Sequence, residues 1–117
     1  MERRRTQLLK GVLDMCMLKI LAAGDCYGYE ITKKLQAQGL ELAREGSIYP
    51  LLARLEKAGF VDSYLVRSRE GPNRKYYRLS VAGREQLSDW EREWVEFYRS
   101  VNQIIGGGSD GRDANGN

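Results

Sequence analysis

The sequence contains no histidine. That removes the side chain that most often acts as a general base near neutral pH and most often ligates a metal. Cysteine is nearly absent too. Cys16 and Cys26 stand singly, with no CxxC pair and no carboxylate cluster beside them. Cys16 lies in an apolar helical run and is expected to be a buried structural thiol. Cys26 lies near a loop, where partial exposure is expected and a redox role is the weaker alternative. No phosphate loop and no paired carboxylates appear, so no enzyme, no metal and no cofactor is expected. No apolar run approaches the ~18 residues that a membrane helix needs. The basic Arg3-Arg4-Arg5 is not followed by the apolar stretch of a signal peptide. A cytoplasmic protein without a membrane partner is the default expectation.

What is present is ordinary in amount and uneven in placement. The 117 residues suit one domain with one core, and 42% hydrophobic with 30% charged residues fits a globular chain. The net charge is +3. Residues 1–80 hold 15 basic and 9 acidic side chains, a net of +6, whereas residues 81–117 hold 4 and 7, a net of −3. A basic front with an acidic back points to a polyanion as the partner of the front.

Periodicity and stop signals divide the chain. A first helix is predicted over 6–23, apolar on nearly every side between Val12 and Leu21 and therefore packed on more than one face. A second runs over 29–38, with Ile31 and Leu35 inward, Lys33 and Lys34 on its polar side, and Gly39 as its stop. A third begins at Ser47 as N-cap, with Pro50 in its first turn. Its apolar stripe is Ile48, Leu51, Leu52 and Leu55, and Gly59 ends it. Tyr49, Ala53 and Glu56 face away from the stripe. A strand over 61–68, a turn at 69–73 and a strand over 74–79 make a hairpin. On its second strand Tyr77 and Leu79 share one face, and Arg74, Tyr76 and Arg78 the other. Ser80 caps a long final helix to residue 105. The stretch 106–117 is expected to be a disordered tail.

The fold class expected is mostly α with a small β-hairpin (α+β), a winged helix-turn-helix followed by a C-terminal dimerisation helix. The domains would be 1–80 for nucleic acid, with the first helix also at the dimer interface, and 81–105 for dimerisation. An α-helix fits the major groove, and its N-terminal residues reach base edges. Here those are Ser47, Tyr49 and Pro50, with Arg54 one turn on. Tyr49 reads equally as a packing residue. Arg67, Arg69, Asn73, Arg74, Lys75, Tyr76 and Arg78 would make a basic wing with only Glu70 opposing them nearby, suited to phosphates or a minor groove. Lys33 and Lys34 would join them, or remain solvated surface.

In the last helix Leu87, Trp90, Trp94, Phe97, Val101 and Ile104 are spaced 3, 4, 3, 4 and 3, the pattern of a coiled-coil seam. A homodimer follows, with a pseudo-palindromic double-stranded operator whose half-sites lie about one helical turn apart. Trp90 and Trp94 either fill a core or line an apolar slot suited to a flat aromatic ligand.

The run from Glu45 through Gly46-Ser47-Ile48-Tyr49-Pro50 to Gly59 resembles the recognition-helix signature of the PadR transcriptional regulators. Gly71-Pro72-Asn73-Arg74-Lys75-Tyr76-Tyr77-Arg78-Leu79-Ser80 with Ala82-Gly83 resembles that family's wing, and Gly28-Tyr29-Glu30-Ile31 its second helix. The resemblance spans about residues 6–105. The single helix after the wing is similar to the compact subfamily, which dimerises through that helix and the first. The resemblance implies a repressor that leaves DNA when a small hydrophobic or aromatic effector binds, as in members tied to multidrug-resistance control. It sets Trp94 where a ligand-stacking tryptophan falls, with Trp90, Leu8, Val12 and Met15 lining the same slot. Phenolic-acid sensing belongs to larger members and is not implied. The competing reading is a winged-helix module that binds protein without specific DNA binding, against which the basic wing argues.

Overall fold

In the computed structural model the described residues are 2–106. The elements run α1 (Glu2–Lys10), α2 (Leu13–Ala23), β1 (Cys26–Tyr27), α3 (Gly28–Ala37), α4 (Glu45–Lys57), β2 (Val61–Val66), β3 (Arg74–Leu79) and α5 (Val81–Ile105). The chain divides into two compact units between Leu87 and Ser88, inside α5. The expected tail lies, from residue 107 on, outside the described residues.

The predicted first helix is two. The N–H of Gly11 bonds the carbonyl of Leu8 at 3.2 Å and that of Val12 bonds Leu9 at 3.0 Å. These tight i to i−3 bonds end α1 at the glycine, the residue that loses most freedom in a helix. Only α2 contributes a continuous buried row, Leu13, Met17, Leu18 and Leu21. Cys16 on the same helix is only half-buried, which corrects the expectation of a buried thiol. Burial still pushes its pKa up, and the Asp14 carboxylate adds to the rise.

The helix pair α3 and α4 ends twice in the same way. Gly39 and Gly59 adopt φ of +102° and +86°. After α3, Gly39 N–H bonds Gln36 and Leu40 N–H bonds Leu35. After α4, Gly59 N–H bonds Glu56 and Phe60 N–H bonds Leu55. Each is the paired closure in which a left-handed residue lets the chain satisfy the last carbonyls, so glycine belongs there. At its other end α4 departs from expectation. It starts at Glu45, and Ser47 is its third residue, not its cap. The carbonyl of Arg44 takes the N–H groups of both Ser47 and Ile48 at 2.9 Å. Pro50 is thus inside the helix, where it leaves the exposed Gly46 carbonyl without an i+4 partner.

The sheet has three strands in the order β1-β3-β2, all antiparallel. β2 ends at Val66, two residues short of the predicted strand, and β3 has the predicted bounds. β1 was not anticipated, since two residues carry no periodicity. It pairs Cys26 with Tyr77 and Tyr27 with Tyr76. Alternation then turns Cys26 inward with Tyr77, Val61 and Leu79, so this thiol is fully buried and not part-exposed as expected. These join Met17, Leu18, Ile31, Ile48, Leu52 and Leu55 in one core. Each of the aliphatic side chains and Met17 contributes about 1.5–3 kcal/mol by leaving water.

Ser80 caps α5 as predicted. Its hydroxyl accepts the N–H of Gly83 at 3.0 Å and donates to the carbonyl of Gly59 at 2.6 Å. A side chain at Gly83 would stand 2.0 Å from the Phe60 carbonyl oxygen, so only glycine lets the first turn of α5 approach this corner.

Candidate nucleic-acid interface

The inward stripe of α4 leaves its other side to solvent. Ile48, Leu52 and Leu55 are buried and Leu51 is half-buried, while Ser47, Tyr49, Pro50, Ala53 and Arg54 are all exposed. Tyr49 packs on one side and is open to solvent on the other. It is 44% exposed, and its ring lies against Gly28 at the start of α3. Burial raises its pKa first, and Glu45 adds to the rise. Arg74 pulls the other way, which brings the wing's arginine into the field of α4.

The start of α3 is fixed locally. The N–H of Tyr27 donates to Glu30 Oε1 at 3.0 Å, the reciprocal half of a capping box. Lys33 Nζ lies 5.3 Å over the Tyr29 ring and remains exposed. Lys34 is exposed, but its Nζ donates to Cys26 Sγ at 3.3 Å.

On the hairpin, Arg67, Arg69, Glu70, Asn73, Arg74, Lys75 and Arg78 are exposed. The tip is closed by Asn73, whose Oδ1 accepts the N–H of Ser68 at 3.3 Å. Glu70 is not the only carboxylate near these cations. Glu56 of α4 reaches β3, with Oε1 3.6 Å from Lys75 Nζ, and its Oε2 accepts the Ser63 hydroxyl at 2.5 Å. Lys75 also lies over Tyr77, at 5.6 Å. Lys75 thus has both a carboxylate and a ring beside it within the molecule.

The outward face of the sheet carries a feature the sequence reading passed over. Tyr27, Tyr76 and Tyr64 stand opposite one another on β1, β3 and β2. Their ring centroids are 5.4 Å and 5.8 Å apart, and Tyr29 extends the row 6.4 Å beyond Tyr27. Arg74 lies over Tyr27 at 4.5 Å and Arg78 over Tyr64 at 5.2 Å. The Tyr64 hydroxyl donates to Asp25 Oδ2 at 2.6 Å, which raises the Tyr64 pKa. Alternation along Arg74-Lys75-Tyr76-Tyr77-Arg78 signals the β3 members of this row. Nothing in the sequence signals that Tyr27 joins them, because β1 is so short.

In the second unit, Trp94, Phe97, Tyr98, Val101, Ile104 and Ile105 are exposed, and Trp94 stacks on Tyr98 at 6.0 Å. Leu87 instead belongs to the core of the first unit at 5% exposure, so the stripe available to a seam begins at Trp90. Of the side chains expected beside an effector, Leu8 is 66% exposed and Val12 and Met15 are half-buried. Among the described residues, no group of three or more His, Cys, Asp or Glu could hold a metal ion. No helix there is long and apolar enough to cross a membrane.

A helix pair with an outward-facing second helix, followed by a basic hairpin, defines a winged helix-turn-helix protein. Residues 17–89 match the family model of the Transcriptional regulator PadR-like family, and the chain belongs to that family. Among solved structures it is similar to a PadR-like transcriptional regulator from Bacillus cereus, with 41% identity and a TM-score of 0.77. That match covers 85% of this chain and 96% of the other. Bacillus subtilis PadR in complex with operator DNA matches at 30% identity and a TM-score of 0.63, over 68% of this chain and 46% of that one. The same organism's "Negative transcriptional regulator PadR" is 30% identical over 81 residues, 44% of its own length.

Proposed function

We propose that this PadR-family regulator binds a specific double-stranded operator as a homodimer and represses transcription there. A small hydrophobic or aromatic effector would release it. The observation that carries the reading is the outward face of α4 with Ser47, Tyr49, Pro50 and Arg54 exposed, next to a β3 strand bearing Arg74 and Arg78. A relative of similar fold crystallised on operator DNA supports it. Residues 1–80 would meet the DNA. The α4 residues would reach base edges in the major groove, while Arg69, Asn73, Arg74, Lys75, Tyr76 and Arg78 of the wing, with Lys33 and Lys34, engage the backbone or the adjacent groove.

Residues 81–105 would join two copies. Exposed large apolar side chains recurring along one helix mark an interaction surface. Trp94, Phe97, Val101 and Ile104 supply them, with the half-buried Trp90 at the head of the stripe, and Leu8, Val12 and Met15 with the two tryptophans would line the effector slot.

The test is binding of the purified protein to duplex DNA from its own promoter region, at two salt concentrations and against unrelated competitor. A specific shift that weakens with salt is expected, because phosphate contacts release counterions. Absence of any specific shift, with retained binding to a protein partner, would favour the protein-binding module instead.

A further inference from the structure

The tyrosines of the outer sheet face do not only cover the strands. Arg74 and Arg78 lie two residues either side of Tyr76 on β3, so all three project from one face. Each arginine leans a different way. Arg74 rests on Tyr27 of β1, with its guanidinium carbon 4.5 Å from the ring centroid. Arg78 rests on Tyr64 of β2, at 5.2 Å. Both supporting rings are themselves held. The Tyr27 ring is held by its contacts with Tyr76 and Tyr29, and the Tyr64 ring by its stack on Tyr76 and its hydroxyl bond to Asp25.

We propose that Tyr27 and Tyr64 are positioning residues that hold Arg74 and Arg78 in set poses for the phosphates of double-stranded DNA. This rests on the reading above, in which both arginines meet DNA. A long side chain free in water loses its rotamer freedom when it grips a phosphate, and that loss subtracts from affinity. An arginine already laid on a ring has lost much of that freedom on folding. Stacking uses the face of the guanidinium and leaves its in-plane N–H groups free to donate in a fork. The ring's negative face also attracts the cation, so the pose is favoured before DNA arrives. The two arginines are four residues apart on one strand, about 13 Å at ~3.3 Å per residue, so they present two separate grips.

The experiment compares Tyr27→Leu, Tyr27→Phe, Arg74→Ala and the double variant Tyr27→Leu with Arg74→Ala. Affinity for duplex DNA from the protein's promoter region is read by fluorescence anisotropy over a salt series, and the arginine Nε resonances are read by NMR in the free protein. The equivalent set is made at Tyr64 and Arg78. Tyr27→Leu is expected to weaken binding roughly two- to five-fold, the worth of one exposed cation–π contact. Tyr27→Phe, which keeps the ring, should bind as the parent does. In the Arg74→Ala background the leucine should cost nothing further, and in the free protein it should move the Arg74 Nε resonance, as Tyr27→Phe should not. An equal loss from Tyr27→Leu with and without Arg74 would overturn the proposal, since the ring would then act on the fold alone. So would unchanged affinity in Tyr27→Leu where Arg74→Ala weakens binding. If Arg74→Ala and Arg78→Ala both leave affinity unchanged, the assignment of these arginines to DNA is itself wrong, and the proposal falls with it.

Discussion

The ring of Tyr49 occupies the space that a side chain at Gly28 would need. A methyl group there would stand 2.3 Å from Tyr49 Cε1 and 2.6 Å from Cζ. The first residue of α3 and the outward face of α4 thus meet closely, and glycine there makes room for the ring by contact rather than by backbone angle. Tyr49 packs and stays 44% exposed at once, so the two roles weighed for it from sequence are compatible.

Gly28→Ala should push the Tyr49 ring out of its seat or force α3 and α4 apart. A loss of about 1–3 kcal/mol in urea denaturation is expected, the usual cost of overpacking. Adding Tyr49→Ala to Gly28→Ala should remove most of the penalty. Equal stability of Gly28→Ala and the parent would show that the ring swings aside freely.

Glu56→Gln should free Lys75 while leaving a neutral acceptor for Ser63. The pair is exposed, so stability should change by no more than about 1 kcal/mol. On DNA the salt slope should steepen by about one if Lys75 then gains a phosphate. A slope identical to the parent's would keep Lys75 out of the DNA contact whether or not it is paired.

Tyr64 should titrate above an ordinary tyrosine, because its hydroxyl donates to Asp25 and ionisation would break that bond. Tyr49 should do the same, chiefly through burial. The folded protein thus holds these protons more tightly than the unfolded chain does. Their stabilisation is complete below the ordinary tyrosine pKa of 10.0 and is lost as pH rises through the raised values. An ultraviolet titration should show late-ionising phenols, and Tyr64→Phe should remove part of that late phase. A late phase unchanged by the substitution would mean that the Asp25 bond does not persist in solution.

Phe97→Asp together with Ile104→Asp should convert a dimer to a monomer in sedimentation experiments and weaken binding to a two-half-site operator, with the first unit still folded by circular dichroism. Placing charges at two exposed apolar positions breaks a seam without touching the core of residues 1–87. A variant that sediments as the parent does would move the subunit contact elsewhere.

Trp94→Ala should abolish binding of flat aromatic compounds in titration calorimetry and leave the dimer intact. Binding that survives at the parent's affinity would place the effector elsewhere.

Much of this protein was legible in its sequence because the signals are local. Apolar spacing fixes the inner face of α4, period-2 alternation fixes the two faces of β3, and a serine three residues before Gly83 fixes the start of α5. The glycines after α3 and α4 mark closures that depend on one residue's backbone. Other features were decided only by tertiary structure. Cys26-Tyr27 becomes a strand because β3 offers an edge to it, and that pairing alone buries Cys26 and brings Tyr27 beside Tyr76. Glu56 meets Lys75 only because α4 and β3 lie side by side, and Tyr49 meets Gly28 only because two helices cross there. α4 starts at Glu45 rather than after a cap at Ser47, because the Ser47 N–H already bonds the Arg44 carbonyl within the first turn. Local chemistry set which residues face in and which face out. Contacts between residues far apart in the chain, which no short window of sequence contains, set how the outward ones are held.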